Sequence, residues 1–376
     1  MIHLDLKDSF YPFTGFDHDR QIARGIVCDD EGRIYLHYVG RDDIFGKQNY
    51  YETPGGGVDE GETFIQALKR EIEEELGFEV EVKAVLGEVS DAYNLIKRHN
   101  INHYYLCSVL SRGQKHFASA GDNFILSSDP YSIDKAIQAM ESNEDAGVAG
   151  LVKTRELPIL KEARKVMALL NKIPQEITSL TKGMVYDLNP IGRSGDSTFV
   201  IEDKYILKIS KDKERLKEER DKGDWLGSYL GRGKSLKYIE TNEEGYLLRE
   251  YIKGHTLIED GIDEDIARLT RCLKSALSFL RRLDKEECPF TSTSLGDEFV
   301  HGDLCLPNII VNDNDECIGF IDVSNLGKGD KSYDECWLKW SLLYNLHHEE
   351  AVASILKDLG ISISKEDYAR YVEAEL

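Results

Sequence analysis

The chain has 376 residues, of which 41% are hydrophobic and 31% charged, and its formal net charge is -22. This length exceeds what one hydrophobic core usually supports, so two domains are expected. The negative charge argues against a nucleic-acid partner, and the sequence shows neither an apolar run long enough to span a membrane nor a signal-peptide pattern at its start. The expected location is the cytoplasm.

The first half of the sequence alternates strand-like and helical patterns. Strand-like apolar runs occupy residues 22–28 and 33–38 and are joined by a polar turn with a glycine, which indicates a hairpin. An amphipathic helical pattern covers residues 63–76, and strand-like runs follow at residues 79–86 and 103–109. Strands before and after a helix in this order predict an α/β sandwich.

The predicted helix at residues 63–76 carries an acidic cluster. At about 100° per residue, its apolar side chains fall on one stripe. They are Ile65, Leu68, Ile72 and Leu76. Glu71, Glu74 and Glu75 fall on a different face, and Glu73 points away from both. Converging carboxylates suit a hard divalent cation such as Mg²⁺, although an exposed helix tolerates like charges at a cost of about 0.2–0.5 kcal/mol a pair.

Glycines on both sides of this helix favour a ligand site. Residues 55–57 are all glycine and allow a ligand to approach the backbone, and Gly77 stands at the expected end of the helix. Residues 56–78 match the Nudix box, G-x5-E-x7-R-E-U-x-E-E-x-G-U, at every specified position. These positions are Gly56, Glu62, Arg70, Glu71, Ile72, Glu74, Glu75, Gly77 and Phe78. Residues 20–170 therefore resemble a Nudix hydrolase.

The resemblance implies an α/β/α sandwich that hydrolyses a nucleoside diphosphate linked to another group. It makes Glu74 and Glu75 direct ligands of Mg²⁺ or Mn²⁺, while Glu71 is a ligand or positions the attacking water. Gly55 would lend its carbonyl oxygen to the ion. Members of the family often use one further acidic residue, for which the sequence offers several candidates. These are Glu88, Asp91 and Asp122.

Between the two halves lies a segment with little to bury. A helical pattern covers residues 151–170, and the following stretch contains Pro174 and few apolar side chains. We place the boundary there, which gives domains at residues 1–172 and 178–376. Three short strand-like runs and two helical patterns follow. They occupy residues 184–188, 198–202, 205–209, 211–230 and 267–283.

A second motif, HGDLCLPN, occupies residues 301–308. It follows a short strand-like run, contains Asp303 and ends at Asn308, and a later strand-like run ends at Asp322. A loop that holds Asp and Asn beside a strand ending in Asp is the arrangement needed to aim a hydroxyl at a nucleotide γ-phosphate with Mg²⁺. This motif therefore predicts a phosphoryl-transfer site.

A lysine and a glutamate upstream complete this pattern. Lys208 lies in a strand-like run, and Glu219 follows on the charged helix, where the two side chains could pair. With the HGDLCLPN motif, they resemble the aminoglycoside phosphotransferase family, a branch of the kinase-like fold, over residues 181–376. The resemblance implies a bilobal α+β domain with an N-lobe at about 178–252 and a C-lobe at about 253–376.

The same resemblance implies a role for each residue of the second site. Asp303 is the base that accepts the proton of the substrate hydroxyl, and Asn308 and Asp322 are Mg²⁺ ligands. Lys208 binds the phosphates of ATP or GTP, and Glu219 orients Lys208.

Further expectations concern the nucleotide and the acceptor. Backbone groups near Glu250 and Ile252 would hold the base of the nucleotide, and a glycine turn at residues 192–196 would cover its phosphates. Two features depart from the family pattern. Asn325 stands where these enzymes usually carry arginine, and the interval at residues 290–300 lacks a helical segment that helps to bound the acceptor pocket in antibiotic-modifying relatives.

Two functional hypotheses follow from these motifs. The first is a bifunctional enzyme that hydrolyses a nucleoside diphosphate derivative and phosphorylates a small-molecule hydroxyl, with a cationic aminoglycoside as one candidate acceptor. The alternative is a kinase for a non-antibiotic metabolite, with the Nudix domain as a nucleotide-sensing module. The complete residue sets favour catalysis at both sites. The seven cysteines are scattered, contain no CxxC pair and are expected to be reduced.

Overall fold

A computed structural model describes residues 2–116, 122–189, 196–283, 287–294 and 296–374. The chain divides into two compact units, Met1–Glu202 and Asp203–Leu376. The predicted phosphate-covering turn at residues 192–196 lies, except for Asp196, outside the described residues. No helix in the described part of the chain combines the length and the apolarity needed to cross a membrane.

The first unit is built from a mixed sheet and its helices. Its strands are β1 (Ile2–Leu6), β2 (His18–Cys28), β3 (Arg33–Asp43), β4 (Gly46–Glu52), β5 (Gly55–Gly57), β6 (Phe78–Tyr93), β7 (Arg98–Arg112), β8 (Ile125–Ser132), β9 (Tyr186–Asn189) and β10 (Ser197–Ile201). Its α-helices are α1 (Phe64–Leu76), α2 (Ile133–Glu141), α3 (Gly147–Leu170) and α4 (Gln175–Leu180). The strand order is β10-β9-β6-β7-β2-β3-β4, with β1 on β6, β5 on β2 and β8 on β3.

The helices α1 and α3 cover opposite faces of this sheet. Leu68 and Ile72 of α1 pack against Ala23 and Val27 of β2 in one apolar core. Neighbouring positions of a strand point to opposite faces, and on the other face Arg24 lies near Glu156 of α3. The α/β/α sandwich predicted for this part of the chain is therefore confirmed.

Both ends of α1 have capping residues, of which Gly77 was expected. The Thr63 hydroxyl accepts a hydrogen bond from the Gln66 backbone N–H, and the Gln66 side chain accepts one from the Thr63 N–H. This reciprocal capping box fixes the start of the helix. Gly77 ends it with a left-handed φ of 71°, a conformation that glycine adopts at little cost. The sequence predicted both ends of the helix.

The division between the units falls later than the predicted boundary at 172–178. Strand β9 runs parallel to β6, with Tyr186 opposite Ala84, and β10 pairs with β9. This hairpin, which was expected in the second domain, therefore extends the sheet of the first unit. The predicted boundary remains a proposal about where the family domain begins.

The second unit has a small antiparallel sheet, a long helix and a helix-rich remainder. Its strands are β11 (Tyr205–Ser210), β12 (Ser235–Glu240), β13 (Gly245–Glu250), β14 (His255–Thr256), β15 (Glu298–Val300), β16 (Ile309–Val311), β17 (Cys317–Phe320) and β18 (Gly327–Gly329). Its α-helices are α5 (Lys213–Leu230), α6 (Ile266–Arg282), α7 (Lys331–Leu346), α8 (Glu349–Asp358) and α9 (Lys365–Tyr368).

The strands of this unit form three groups. The strands pair in the orders β12-β13-β11, β14-β16-β17 and β15-β18. A large apolar core joins α6, α7 and α8 to the strands β16 and β17. The kinase-like α+β arrangement expected here is confirmed. All seven cysteines are free, and six of them are buried, as expected for reduced core residues.

Candidate active sites

The glycine strand β5 brings backbone against the acidic helix of the first unit. Gly55 has a φ of 133°, and a Cβ atom there would lie 2.3 Å from the carbonyl oxygen of Ala23. At Gly56, a Cβ atom would lie 2.5 Å from the carboxylate carbon of Glu71. Glycine at these two positions therefore lets β5 pair with β2 and lets the Glu71 carboxylate rest directly on the backbone.

Arg70 links the loop after β5 to the helix. Its Nε and Nη2 atoms each donate to the Glu62 carboxylate at 2.8 Å, and Nη2 also donates to the Gly57 carbonyl at 2.9 Å. Its Nη1 atom donates to Glu71 Oε1 at 2.8 Å. The Arg70 guanidinium lowers the pKa of Glu62 to about 2. One arginine thus fixes the loop and the first predicted metal carboxylate together.

The glutamates of α1 separate by face as the helical pattern predicted. Glu71 and Glu75 are buried, at 8% and 7% exposure, Glu74 is half-buried and Glu73 is exposed. Burial raises the pKa of Glu71, and the nearby Glu75 and Glu74 charges add to this effect, although the hydrogen bond from Arg70 opposes it. The crowded negative charge is what a bound cation would relieve.

A histidine that the sequence did not single out contacts Glu75. His37 of β3 is 2% exposed, and its Nε2 atom lies 3.0 Å from Glu75 Oε2. Its Nδ1 atom lies 2.8 Å from the Ser128 hydroxyl, and the Gly55 N–H donates to the same Glu75 oxygen at 2.8 Å. The only signal in the sequence is a histidine within the apolar run of a strand.

The first site fits a hard cation by the chemistry of its donors. Across the described ranges, no three His, Cys, Asp or Glu side chains are arranged as a ready metal cluster. Carboxylate oxygens of Glu71, Glu74 and Glu75 and the nearby Gly55 carbonyl are nevertheless the oxygen donors that Mg²⁺ prefers. These four ligands remain predictions.

A buried ionic network lies on the α3 face of the same sheet. Arg155 of α3 is 1% exposed and donates to Asp91 at 3.0 Å, to Glu52 at 3.0 Å and to Glu156 at 2.8 Å. Arg24 donates to Glu52 at 2.7 Å. The sequence offered Asp91 as a further metal ligand, but its carboxylate belongs to this network.

The sequence offered two other candidates for that ligand, Glu88 and Asp122. Glu88 Oε2 lies 3.4 Å from His103 Nδ1. The side chain of Asp122 is outside the described part of the chain. Glu88 and Asp122 therefore remain predictions for the further acidic ligand of the first site.

The second unit brings the predicted lysine and glutamate together. Lys208 of β11 donates to Glu219 Oε1 of α5 at 2.6 Å and also contacts the Asp322 carboxylate. Burial opposes a charge on Lys208, but the Glu219 and Asp322 carboxylates outweigh it and raise the pKa of this lysine. Three residues that lie far apart in the sequence therefore form one ionic chain.

Two buried cations that the sequence did not assign hold α5 in this position. The Arg249 guanidinium lies 3.5 Å from Glu219 and donates to the Gly233 carbonyl at 2.7 Å. Lys222, at 6% exposure, donates to the carbonyl of Ser324, two residues after Asp322, at 2.6 Å. Arg249 thus connects Glu219 of α5 to the Gly233 backbone, and Lys222 connects α5 to the backbone that follows Asp322.

The loop at residues 301–308 holds the predicted base. Asn308 Nδ2 donates to the Asp303 carboxylate and to its backbone carbonyl, each at 3.0 Å. This leaves the amide oxygen of Asn308 for a cation. His301 is fully buried, and its ring lies 3.1 Å from the Ile321 carbonyl.

Asp334 of α7 stabilises the backbone of the same loop. Its carboxylate accepts hydrogen bonds from the backbone N–H groups of His301 at 2.7 Å and Gly302 at 2.8 Å. Burial raises the pKa of Asp334 to about 6, despite these hydrogen bonds and the nearby His301. The backbone before Asp303 is therefore fixed by a buried carboxyl group.

Asn325, which replaces the usual arginine, has a structural role here. Its Nδ2 atom donates to the Gly302 carbonyl at 2.9 Å, and its Oδ1 atom accepts from the Thr293 N–H at 2.8 Å. The shortened interval at residues 290–300 is thereby tied to the loop of the predicted base.

The residues expected to hold the nucleotide base lie at the end of β13 and just after it. Glu250 ends this strand, and Ile252 is buried two residues later. Between them, the Tyr251 N–H donates to the Lys204 carbonyl at 2.9 Å. The roles of Glu250 and Ile252 in nucleotide binding remain predictions.

Two family models match separate parts of the chain. The NUDIX domain matches residues 19–125, and the phosphotransferase enzyme family matches residues 294–373.

Individual proteins resemble each part. The 8-oxo-dGTP diphosphatase of Proteus vulgaris is 32% identical over 85 residues, which are 23% of this chain and 72% of that protein. A probable aminoglycoside 3'-phosphotransferase of Lactococcus lactis is 24% identical over 221 residues, 47% of this chain and 84% of that protein. The solved aminoglycoside phosphotransferase APH(3'')-Id of Streptomyces rimosus aligns at 20% identity and a TM-score of 0.41, covering 50% of this chain and 91% of that one.

The folds, the two motifs and these matches define a two-domain enzyme. The chain belongs to the Nudix family through its N-terminal domain and carries a C-terminal domain of the phosphotransferase enzyme family.

Proposed function

We propose that the chain is a bifunctional enzyme. The Nudix domain hydrolyses a nucleoside diphosphate linked to another group, and the kinase-like domain transfers a phosphoryl group from ATP or GTP to a small-molecule hydroxyl. The observation that carries the first activity is the Glu71 carboxylate, which lies between Arg70 and the glycine strand. The second is carried by the Lys208–Glu219 pair beside Asp322.

In the hydrolytic site, each residue has a distinct task. A bound Mg²⁺ or Mn²⁺ would neutralise the diphosphate and lower the pKa of a water molecule. Glu74, Glu75 and the Gly55 carbonyl would hold the ion, and Glu71, whose pKa is raised, would position the attacking water and accept its proton. Arg70 keeps Glu71 against the glycine strand.

In the phosphotransferase site, Asp303 would accept the proton of the acceptor hydroxyl. Asn308 donates to the Asp303 carboxylate through its amide group and, with Asp322, would supply oxygen ligands for Mg²⁺. Lys208 would bind the phosphates of the nucleotide, and Glu219 would orient the Lys208 side chain. Positioning and charge stabilisation of this kind account for most of the rate gain in phosphoryl transfer.

The acceptor we propose is a hydroxylated, cationic small molecule of the aminoglycoside type. Support comes from the Lactococcus lactis relative, a probable aminoglycoside 3'-phosphotransferase that aligns over 84% of its length. We also propose that the family domain begins between residues 172 and 178 and has lobes at about 178–252 and 253–376. A cytoplasmic location fits the seven free cysteines.

A nucleotide-consumption assay over a substrate panel tests this function. The panel contains nucleoside diphosphate derivatives, aminoglycosides and other hydroxylated metabolites, with Mg²⁺ or with excess EDTA. We expect hydrolysis of at least one diphosphate derivative, and formation of ADP or GDP with at least one aminoglycoside, both stopped by EDTA. Phosphoryl transfer only to non-antibiotic metabolites would reject the proposed acceptor, and no hydrolysis across the panel would reject the first activity.

A further inference from the structure

His37 lies between a predicted metal ligand and a hydroxyl group of the Nudix domain. The side chain is 2% exposed, its Nε2 atom lies 3.0 Å from Glu75 Oε2, and its Nδ1 atom lies 2.8 Å from Ser128 Oγ. In the antiparallel pairing of β3 with β8, His37 is directly opposite Ser128, so the two side chains leave the sheet on the same face. The register of these two strands therefore brings the ring and the hydroxyl group together.

The two contacts determine which ring nitrogen carries a proton. An ionised carboxylate only accepts hydrogen bonds, so the Nε2 atom of His37 carries a proton and donates to Glu75. In the neutral ring, the Nδ1 atom is then an acceptor, and the Ser128 hydroxyl donates to it. Ser128 thus stabilises the tautomer of His37 that donates to Glu75.

The backbone supplies a second donor to the same carboxylate oxygen. The Gly55 N–H donates to Glu75 Oε2 at 2.8 Å, and the pairing of β5 with β2 holds Gly55 opposite Arg24. Among the described residues, the other oxygen of Glu75, Oε1, accepts no hydrogen bond and forms no ion pair. Glu75 therefore has one oxygen bound to the protein and one oxygen that is left for another ligand.

We propose that His37 is a positioning residue that makes Glu75 bind the metal ion through Oε1 alone. This inference rests on the proposed hydrolytic function and concerns which ion its site accepts. Ca²⁺ takes about six to eight oxygen ligands and often binds both oxygens of one carboxylate, whereas Mg²⁺ requires octahedral geometry with fewer protein ligands. A Glu75 carboxylate that offers one oxygen therefore favours the smaller ion over Ca²⁺.

Metal binding by the full-length protein tests the proposal without any substrate. Mn²⁺, which shares the octahedral oxygen geometry of Mg²⁺, is measured by electron paramagnetic resonance, and Ca²⁺ by competition with Mn²⁺. The site is identified as the one whose Mn²⁺ binding is lost in Glu75→Gln. For His37→Leu, which removes the Nε2 donor, we expect the Kd for Mn²⁺ to rise about tenfold. The Kd for Ca²⁺ should change less than about twofold, because Glu75 Oε2 then becomes available to Ca²⁺.

Two further variants separate hydrogen bonding from packing, and calorimetry in excess EDTA verifies that each variant is folded. His37→Gln keeps a side-chain N–H donor and should restore most of the Mn²⁺ affinity. Ser128→Ala removes the hydroxyl that stabilises the donating tautomer and should raise the Kd for Mn²⁺ about threefold. An equal loss of Mn²⁺ and Ca²⁺ affinity in folded His37→Leu overturns the proposal. If His37→Leu does not fold, an unchanged Kd for Mn²⁺ in Ser128→Ala overturns it.

His99 provides a matched control, because it also lies between a carboxylate and a serine hydroxyl. Its Nδ1 atom lies 2.9 Å from Asp19 Oδ1, and its Nε2 atom lies 2.7 Å from Ser90 Oγ. Asp19 is exposed and is not a predicted metal ligand. His99→Leu should leave both dissociation constants within about twofold of the wild-type values, because contacts of exposed charges contribute little. A loss of Mn²⁺ affinity equal to that of His37→Leu would overturn the proposal.

The result is distinguishable from failure of the hydrolytic function itself. If the wild-type protein binds Mn²⁺ through Glu75 but hydrolyses no diphosphate derivative, the hydrolytic function is rejected. The Mn²⁺ and Ca²⁺ affinities of the variants then still decide the role of His37. If Glu75→Gln removes no bound Mn²⁺, Glu75 is not a metal ligand, and the inference about His37 is overturned.

Discussion

The two candidate sites differ in how far apart their residues lie along the chain. Glu71, Glu74 and Glu75 share one helix, so helical geometry alone brings them together. Lys208 and Asp322 are 114 residues apart and meet only through the tertiary fold. A site of the first kind depends mainly on the stability of its domain, whereas one of the second kind depends on individual contacts that hold its segments in place.

The buried charged groups near the two sites also differ in what they contact. In the Nudix domain, Arg155 and its partners lie on the sheet face opposite α1. In the kinase-like domain, Lys222 and Asp334 bind the backbone of the loops that carry the predicted site residues. Substitution of Arg155 should therefore affect mainly the stability of its domain, whereas substitution of Lys222 should affect mainly catalysis.

The largest expected effect is on the stability of the Nudix domain. Arg155→Met removes the guanidinium that donates to the buried Asp91 and Glu156 carboxylates, which should lower the free energy of unfolding by about 3–5 kcal/mol. Because α1 packs on the other face, kcat for hydrolysis at low temperature should stay within about twofold. Calorimetry and hydrolysis rates measure the two quantities.

The matched control for this prediction is an exposed arginine of the same helix. Arg164→Met breaks a surface pair with Asp134 and should cost less than about 1 kcal/mol. If Arg155→Met cost as little, or if it reduced kcat tenfold in the folded protein, the proposed separation of stability from catalysis would be wrong.

The second effect is a pH dependence of the kinase-like domain. The pKa of Asp334 is raised from 3.8 to about 6 in the folded protein. The stabilisation that the protonated carboxyl group gives to the folded state is therefore fully present below pH 4 and is lost as the pH rises through 6. A pKa change of this size corresponds to about 3 kcal/mol. Asp334→Asn removes the titration, so the stability of the wild type relative to this variant should fall between pH 4 and 7.

Urea unfolding followed by tryptophan fluorescence measures this difference. Trp225, Trp337 and Trp340 are the three tryptophans of the chain, and all lie in the second unit. Above pH 7 the difference between wild type and variant should be constant. A difference that stays constant from pH 4 to 7 would show that Asp334 ionises normally in the folded protein.

The smallest expected effect is on catalysis in the kinase-like domain. Lys222→Met removes a charged donor from the Ser324 carbonyl and should lower kcat/KM for phosphoryl transfer about tenfold, with hydrolysis unchanged. Lys217→Met, at an exposed position of the same helix, is the control and should have no effect. Steady-state kinetics give kcat/KM for both reactions. If the two variants had the same kcat/KM for phosphoryl transfer, Lys222 would not have a positioning role.

Local patterns predicted much of the fold. The ends of α1 follow from Thr63 and Gly77, and the apolar stripe with Leu68 and Ile72 packs as expected. The sequence did not predict β4 or that β9 and β10 extend the sheet of the first unit. These strands are defined by pairing with distant partners, which a single sequence does not encode locally.

The same limit applies to the sites. Residues within a motif, such as Glu71, Glu75 and Asp303, were identified from spacing and resemblance. His37 and Lys222 were not, because a buried histidine in a strand or a lysine in a charged helix has no distinctive local pattern. Their contacts with Glu75 and the Ser324 carbonyl depend on tertiary structure.

The most direct test of two independent active sites is a reciprocal substitution in the full-length chain. Glu75→Gln should reduce hydrolysis of the diphosphate substrate at least about a hundredfold and leave phosphoryl transfer unchanged, and Asp303→Asn should do the reverse. Both rates are measured for both variants. Loss of both reactions in either variant, or retention of the targeted reaction, would contradict the account.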